Sequence, residues 1–341
     1  MDNQQSERFR LSRRDILVLA GISALASSSG LSAFAQEAAK KGGVLKVAAP
    51  ANPSSLDPAT GGSGFDHTIL WALYDTLIEW DYDTLIPKPG LARWSFPEPK
   101  RMVLDIQAGV TFHDGTALDA EAVKFNLDRN RRDERSNIKT DLDSVESVEV
   151  TKPLQVTLHL KNADAALPAI LSDRAGMMVS PTNIQMLGQD TNRKPVGAGP
   201  WKFVSWADND KVIVTRNENY WRSRRPYLDG IEFSIVPESA TALRDRPLPA
   251  SSGQIDMAYL LPARLKPIIE RSSSLQNVAA PTLFCQQIYL NYRRTPMNDV
   301  RVRQAMNYAI NRDAYIRAAM GGWVNRLPWY CQKPTGPMMP P

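Results

Sequence analysis

Cysteine is nearly missing, with two residues in 341. That excludes a disulfide framework and any cysteine-rich zinc module. Histidine is scarce as well: His67, His113 and His159 stand at no metal-like spacing. With 19 glycines and 25 prolines, the chain is neither collagen-like nor a low-complexity linker. Catalytic signatures are absent too. Gly61-Gly62-Ser63-Gly64 runs into Phe65, which breaks the G-x-S-x-G nucleophile pattern. No P-loop, dinucleotide fingerprint or H-E-x-x-H occurs. Asp81 and Asp83 could form a glycosidase-like carboxylate pair, but two acids in a polar turn read more simply as a solvated loop. His113 beside Asp114 likewise reads as a turn rather than a proton relay. Lysine and arginine exceed aspartate and glutamate by 41 to 36, without concentration into a stripe. Small clusters at 129–135 and 222–225 read as a solvated surface rather than a nucleic-acid footprint. The residues call for no catalytic group, no metal, no cofactor and no nucleic acid.

What is present is an ordinary soluble composition, 43% hydrophobic and 23% charged, on a chain long enough for about two domains. So much chain buries a core without disulfide or metal staples. Residues 1–35 read as an address rather than as fold. A polar opening leads to the apolar run Ile16 to Ala26, too short for a comfortable membrane span. Small residues follow, down to Ala33-Phe34-Ala35, a small-x-small cleavage pattern. Ser12-Arg13-Arg14-Asp15-Ile16-Leu17 resembles a twin-arginine export signal, with Ile16 where phenylalanine is commonest. An ordinary secretory signal with two chance arginines is the alternative. Either way the expectation is an exported, periplasmic product beginning near Gln36. It does not span the membrane after cleavage. In that oxidising compartment Cys285 and Cys331 have the option of pairing, and a buried free Cys285 is the alternative.

Along the mature chain, strands and helices mix irregularly. Alternation and turn residues predict strands at Gly43 to Ala49, Arg101 to Ile106, Thr111-Phe112 and Ile231 to Val236, and also at Ile255 to Tyr259 and Cys285 to Tyr292. Hairpins are expected at 145–160 and 201–216. Asp114-Gly115 is a turn signal. Four-residue spacing of Ile69, Leu73 and Leu77 predicts a helix from Phe65 to Ile78. Asp119 caps a helix to about Arg132, and short helices fall at Leu167 to Leu171 and Thr182 to Leu187. Asp299 to Ala319 reads as one long helix with Val302, Met306, Ala309 and Ile310 on one face. The irregular order argues a mixed α/β chain, with no internal repeat.

Ten short blocks then occur in one order. They are Leu56-Asp57-Pro58, Tyr74-Asp75-Thr76-Leu77, Pro87 to Ala92, Val110 to Gly115 and Val196 to Trp201. Next come Asn219-Tyr220-Trp221, Pro226 to Asp229, Ser252 to Asp256, Leu290-Asn291 and Asp299 to Ala305. Behind an export signal, this set resembles the family-5 extracellular solute-binding proteins of ABC importers, the peptide and nickel type. The resemblance covers about Gly43 to Gly322. It implies a two-lobed periplasmic-binding-protein-like α/β fold, type II, of the large class with an extra subdomain. On that analogy lobe I covers 43–282, the subdomain lies near 84–190, and lobe II begins at 283. The implied function is capture of a peptide or similar small solute and its delivery to an ABC permease and, through it, to the ATPase subunits. The implied ligand contacts are Gly62, Ser63, Gly64, Phe65 and Asp66, whose backbone N–H groups are suited to a carboxylate, with Tyr259 and Leu260 second. A plain flexible loop is the alternative. Trp201, Trp206 and Trp221 read as packing residues.

The chain departs from the family in two places. Pro247 and Pro249 interrupt a stretch, Arg244 to Ser252, where related chains keep a helix. After Gly321-Gly322 the sequence WVNRLPWYCQKP matches nothing expected, and the expectation is a lobe II that starts and then stops. A truncated or frameshifted product, with unpartnered apolar faces and weak ligand binding, is therefore the competing expectation.

Overall fold

The structure, a computed structural model, describes residues 41–84, 86–237, 255–262, 265–273, 275–278 and 288–320. The export segment with Arg13, Arg14, Ala33 and Ala35 lies outside these residues. So do Cys285, Cys331, the Arg244 to Ser252 stretch and the chain from Gly321.

Two hydrophobic cores organise the chain. The first gathers Val47, Ala49, Leu56, Ile69, Leu70, Leu73 and Tyr74 with Val212, Val214 and Phe233. Its sheet has five strands in the order β11-β1-β10-β9-β8: β1 is Val44–Ala49, β8 Trp201–Ala207, β9 Lys211–Arg216, β10 Gly230–Ile235 and β11 Met257–Ala258. β1 runs parallel to β10 and β11, and the β10-β9-β8 side is antiparallel. The helix α1 (Asp66–Leu73) covers it with Ile69, Leu70, Ala72 and Leu73. The second core runs from Leu77 to Ala198 and includes Leu91, Met102, Leu104, Phe112, Val123, Leu127, Val156 and Leu158. Here β4 (Ala92–Glu98), β5 (Arg101–Ile106), β6 (Val145–Lys152) and β7 (Gln155–Leu160) form an antiparallel sheet in the order β4-β5-β7-β6. The helix α2 (Ala120–Arg132) packs Val123 and Leu127 into this core. It begins where expected, because Asp119 Oδ1 accepts the Ala122 N–H at 2.9 Å. A small ribbon, β2 (Ile78–Asp81) with β3 (Ile86–Pro89), and two short helices, α3 (Leu167–Ile170) and α4 (Pro181–Leu187), complete this half.

Several expectations need correction, among them the strand at Thr111-Phe112, where Thr111 makes only an isolated bridge with Ala117. The helix predicted over Phe65 to Ile78 ends at Leu73, because Tyr74 turns extended at φ −128°, ψ 131°. The Tyr74 hydroxyl donates to Leu56 O at 2.9 Å, and the Leu77 N–H donates to Gly176 O at 2.9 Å. Leu77 shares the four-residue spacing of Ile69 and Leu73, but it is buried in the other core. The long helix from Asp299 is two helices, α6 (Val300–Ala309) and α7 (Arg312–Met320), following a short α5 (Lys266–Glu270). Ile310 is extended, and Asn311 caps the second helix by accepting the Ala314 N–H at 2.9 Å. The strand expected from Ile255 to Tyr259 shrinks to Met257–Ala258, and residues 288–292 form no strand.

Candidate ligand-binding site

The chain crosses between the two cores at 74–77, 177–179 and 196–200, and four of the sequence blocks meet there. Gly197 and Gly199 are pressed against Leu73 and Tyr74: a Cβ on Gly197 would lie 2.2 Å from Leu73 O, and one on Gly199 2.6 Å from Leu73 C. Only glycine permits that approach. His113 staples the two glycines, its Nε2–H donating to Gly199 O at 3.0 Å while Nδ1 accepts the Gly197 N–H at 3.3 Å. Burial pushes this imidazole down to about 4, so it is neutral in that role. Asp75 accepts from the Tyr220 hydroxyl at 2.9 Å and from the Trp221 indole at 2.6 Å. Burial pushes its carboxyl up to about 6, opposed by those bonds. Arg222 stacks on Trp221 at 4.5 Å and pairs with Glu79. Asp75, His113 and the two glycines are thus tied to internal partners. Trp201 and Trp206 pack on the first core and Trp221 on the second, in keeping with a packing role.

The acids at 81 and 83 do not face each other across a cleft. Asp81 Oδ1 accepts from Asp83 N (3.2 Å), Thr84 N (3.0 Å) and Thr84 Oγ1 (3.0 Å), closing the turn after β2. The Thr84 N–H bond is the main cause holding this exposed carboxyl below its usual range.

The glycine-rich loop has a different character. Asp66 is buried, and its two oxygens accept from Ser54 N (2.7 Å), Ser54 Oγ (2.6 Å) and Ser63 N (3.2 Å). The N–H groups of Gly61, Gly62 and Phe65 donate to Asp57 O, Ser54 Oγ and Ser63 Oγ. The expected row of free N–H groups is thus largely closed within the loop, and Asp66 is the pin that closes it. Only the Gly64 N–H of this row has no acceptor among the described residues. Gly62 and Gly64 are nevertheless exposed, and nothing lies within 4 Å of a Cβ placed on Gly64.

The helix after the loop carries one face that is not fully buried. Gly64, His67, Thr68 and Trp71 recur at three- and four-residue spacing, opposite the buried stripe of Ile69, Leu70 and Leu73. Trp71 is 42% exposed and Phe65 40%, high values for such large rings. The His67 ring meets the Trp71 indole edge-on at 5.8 Å. His67 Nε2 also pairs with Asp173 at 3.0 Å, and that bond raises its pKa. Tyr259 packs on the first core with its hydroxyl buried beside Thr68. Leu260 follows at φ 54° and is 65% exposed. Loop, helix face and Tyr259 therefore adjoin through Thr68. Trp71 was not among the expected contacts. Its signal was its place in the sequence, an indole off the Ile69–Leu73 stripe. Among the described residues no group of three or more His, Cys, Asp or Glu side chains is placed to hold a metal ion.

With this geometry in hand, comparison with known proteins defines the class. Residues 87–330 match the family of bacterial extracellular solute-binding proteins, family 5, and the chain belongs to that family. The glutathione-binding protein GsiB of Pectobacterium atrosepticum is 32% identical over 275 residues, 79% of this chain and 52% of that protein. GsiB of Salmonella paratyphi A is 29% identical over 304 residues, covering 89% and 58%. In fold the chain resembles the periplasmic binding protein DppA of Helicobacter pylori solved with the peptide STSA. Their TM-score is 0.70 at 24% identity, over 84% of this chain and 60% of that one. It also resembles the binding protein MoaA of Agrobacterium tumefaciens R10 solved with mannopinic acid, with a TM-score of 0.71 at 25% identity over 84% and 59%. The fold is thus the α/β architecture of periplasmic binding proteins. The chain spans just over half the length of the curated relatives it matches.

Proposed function

We propose that this chain captures a small peptide-like solute, glutathione among the candidates, as the solute-binding component of an ABC importer. It performs no chemistry and passes its ligand to a permease served by ATPase subunits. The observation that carries this reading is the open wall of Gly62, Ser63, Gly64, Phe65 and Trp71, in a chain of a solute-binding family. The wall combines backbone polarity with an aromatic platform, which suits a short peptide lying along it. Tyr259 and Leu260 border it. Lobe I is assigned to 43–282 with its subdomain near 84–190, and lobe II to the chain from 283. Export through the twin-arginine machinery, with Arg13 and Arg14 as its mark and cleavage after Ala35, delivers the product to the periplasm. No helix among the described residues is long and apolar enough to cross a membrane.

Isothermal titration of the purified chain with reduced glutathione and with a tripeptide mixture tests capture. Saturable heat that falls at least about tenfold in affinity in Trp71→Ala supports it. Heat from neither probe, or binding indifferent to Trp71, refutes it. Export is tested separately: Arg13→Lys with Arg14→Lys should leave precursor in the cytoplasm, and unchanged periplasmic yield rejects the twin-arginine route.

A further inference from the structure

The loop that forms this wall is held by its own Asp66 and also by side chains from the other core. It spans residues 54–66 and belongs to the first core through Leu56. Three groups grip it from the second. Arg129 on α2 makes a forked bond to Asp57, Nη1 to Oδ1 at 3.1 Å with Nη2 on Oδ2, and the two side chains are 7% and 4% exposed. Asn137 donates from its backbone N–H to Ala59 O at 2.8 Å and from Nδ2 to Thr60 O at 2.8 Å, with Gly61 O at 3.4 Å. Arg174 Nη1 donates to Gly61 O, and its neighbour Asp173 pairs with His67 on the helix that follows the loop. Carbonyls 59, 60 and 61 are thus all held by Asn137 and Arg174, directly before the exposed glycines.

The three grips differ in kind. Arg129–Asp57 is a buried ion pair whose loss leaves an uncompensated charge, so its removal threatens folding. Asn137 is exposed and Arg174 only partly buried, and both act on backbone carbonyls. Losing either bond frees a neutral carbonyl, which costs the fold less than stranding one charge of the buried ion pair. What such a bond does is fix where the next N–H groups and Cα hydrogens point. A loop held in its binding geometry avoids the ordering cost that a free loop meets on binding.

Resting on the capture reading above, we infer that Asn137 and Arg174 are positioning residues for the ligand wall. The second core thereby sets the geometry of Gly61–Gly64 without touching the ligand. Neither residue is conspicuous in sequence. Asn137 follows the Arg129–Arg135 cluster, and Arg174 is an isolated cation before Ala175-Gly176.

The test compares wild type with Asn137→Ala, Arg174→Ala and Arg174→Lys in the full chain, by amide hydrogen exchange without ligand. The expected result is exchange at the Gly62 and Ser63 amides faster by about tenfold in each alanine variant. The Gly199 amide, which donates to Leu73 O at 3.0 Å, keeps its protection, and lysine at 174 restores most of the lost protection. Titration with reduced glutathione and tripeptides should then show affinity weakened by about 5- to 20-fold with the melting temperature unchanged. Unchanged exchange at Gly62 and Ser63, or faster exchange at Gly199 to the same degree, overturns the inference. So does unchanged affinity in a wild type that binds. A wild type that binds neither probe refutes the capture reading, while the exchange data still decide whether these residues hold the loop.

Discussion

The junction between the cores and the wall beside it are both built on glycines and carboxylates, yet they do opposite things. At the junction, Gly197 and Gly199 have backbone within 2.7 Å of any added Cβ, and Asp75 and His113 are tied to named internal partners. At the wall, Gly64 faces open space, and Phe65 and Trp71 keep two-fifths of their surface in solvent. The family's blocks Tyr74 to Leu77, Val110 to Gly115, Val196 to Trp201 and Asn219 to Trp221 converge on the junction. Dense motif content here marks a packing requirement. The candidate ligand surface is written in fewer letters, and its distinguishing property is an exposed aromatic on a helix that is otherwise well covered.

The sharpest way to break this comparison is to add a methyl group on each side of it. Gly197→Ala or Gly199→Ala should destabilise by about 3 kcal/mol or more, read as the denaturation midpoint, since backbone cannot yield. A loss under about 1 kcal/mol would mean the junction is loosely packed. Next in size is Asp75→Ala, which strands the Tyr220 and Trp221 donors and should cost about 2–4 kcal/mol. Asp75→Asn tests the charge alone. The folded pKa of Asp75, about 6, lies above the unfolded carboxylate value near 4, so the native state holds the extra proton between those pH values. Wild-type stability should therefore fall as pH rises from 4 to 6, by on the order of 2 kcal/mol from this group, and level off above. The Asp75→Asn variant should lack that component, and an identical slope would contradict the assignment.

Smaller effects belong to the wall. Gly64→Ala should leave stability within about 0.5 kcal/mol and weaken binding of reduced glutathione or tripeptides. Stability lost on the junction's scale would erase the contrast. Smallest is His67→Asn. The Asp173 bond raises the folded His67 pKa, so its stabilisation is full below the unfolded value near 6.5 and disappears as pH rises through the folded one. Solvent at this half-open pair limits it to a few tenths of a kcal/mol, about the resolution of paired denaturation curves at pH 6 and 8.

Much of the fold was legible. Asp119 before an apolar run, the 145–160 and 201–216 hairpins and the strand after Gly43 all follow local rules, and local rules decided them. The failures have separate causes. Leu77 keeps helical spacing with Leu73, but the chain at Tyr74 changes cores, and no local periodicity reports which core a leucine enters. The strands β3 and β4 escaped notice because Pro87, Pro89 and Pro97 interrupt their alternation. Asn311 was a readable cap inside an apparently continuous helix. At the candidate site, the loop's place in the sequence was visible from its glycines. The closure of its N–H groups by Ser54 and Asp66, and the hold of Arg174 from 113 residues away, depend on tertiary contacts.

The central claim is that ligand meets the glycine loop and the Trp71 face while the junction only holds the cores together. Hydrogen exchange of the full chain with and without saturating reduced glutathione or tripeptide tests it directly. The account predicts new protection confined to amides between about residues 61 and 71, with those at 196–200 unchanged. Protection that appears at 196–200 and leaves 61–71 as it was would contradict it.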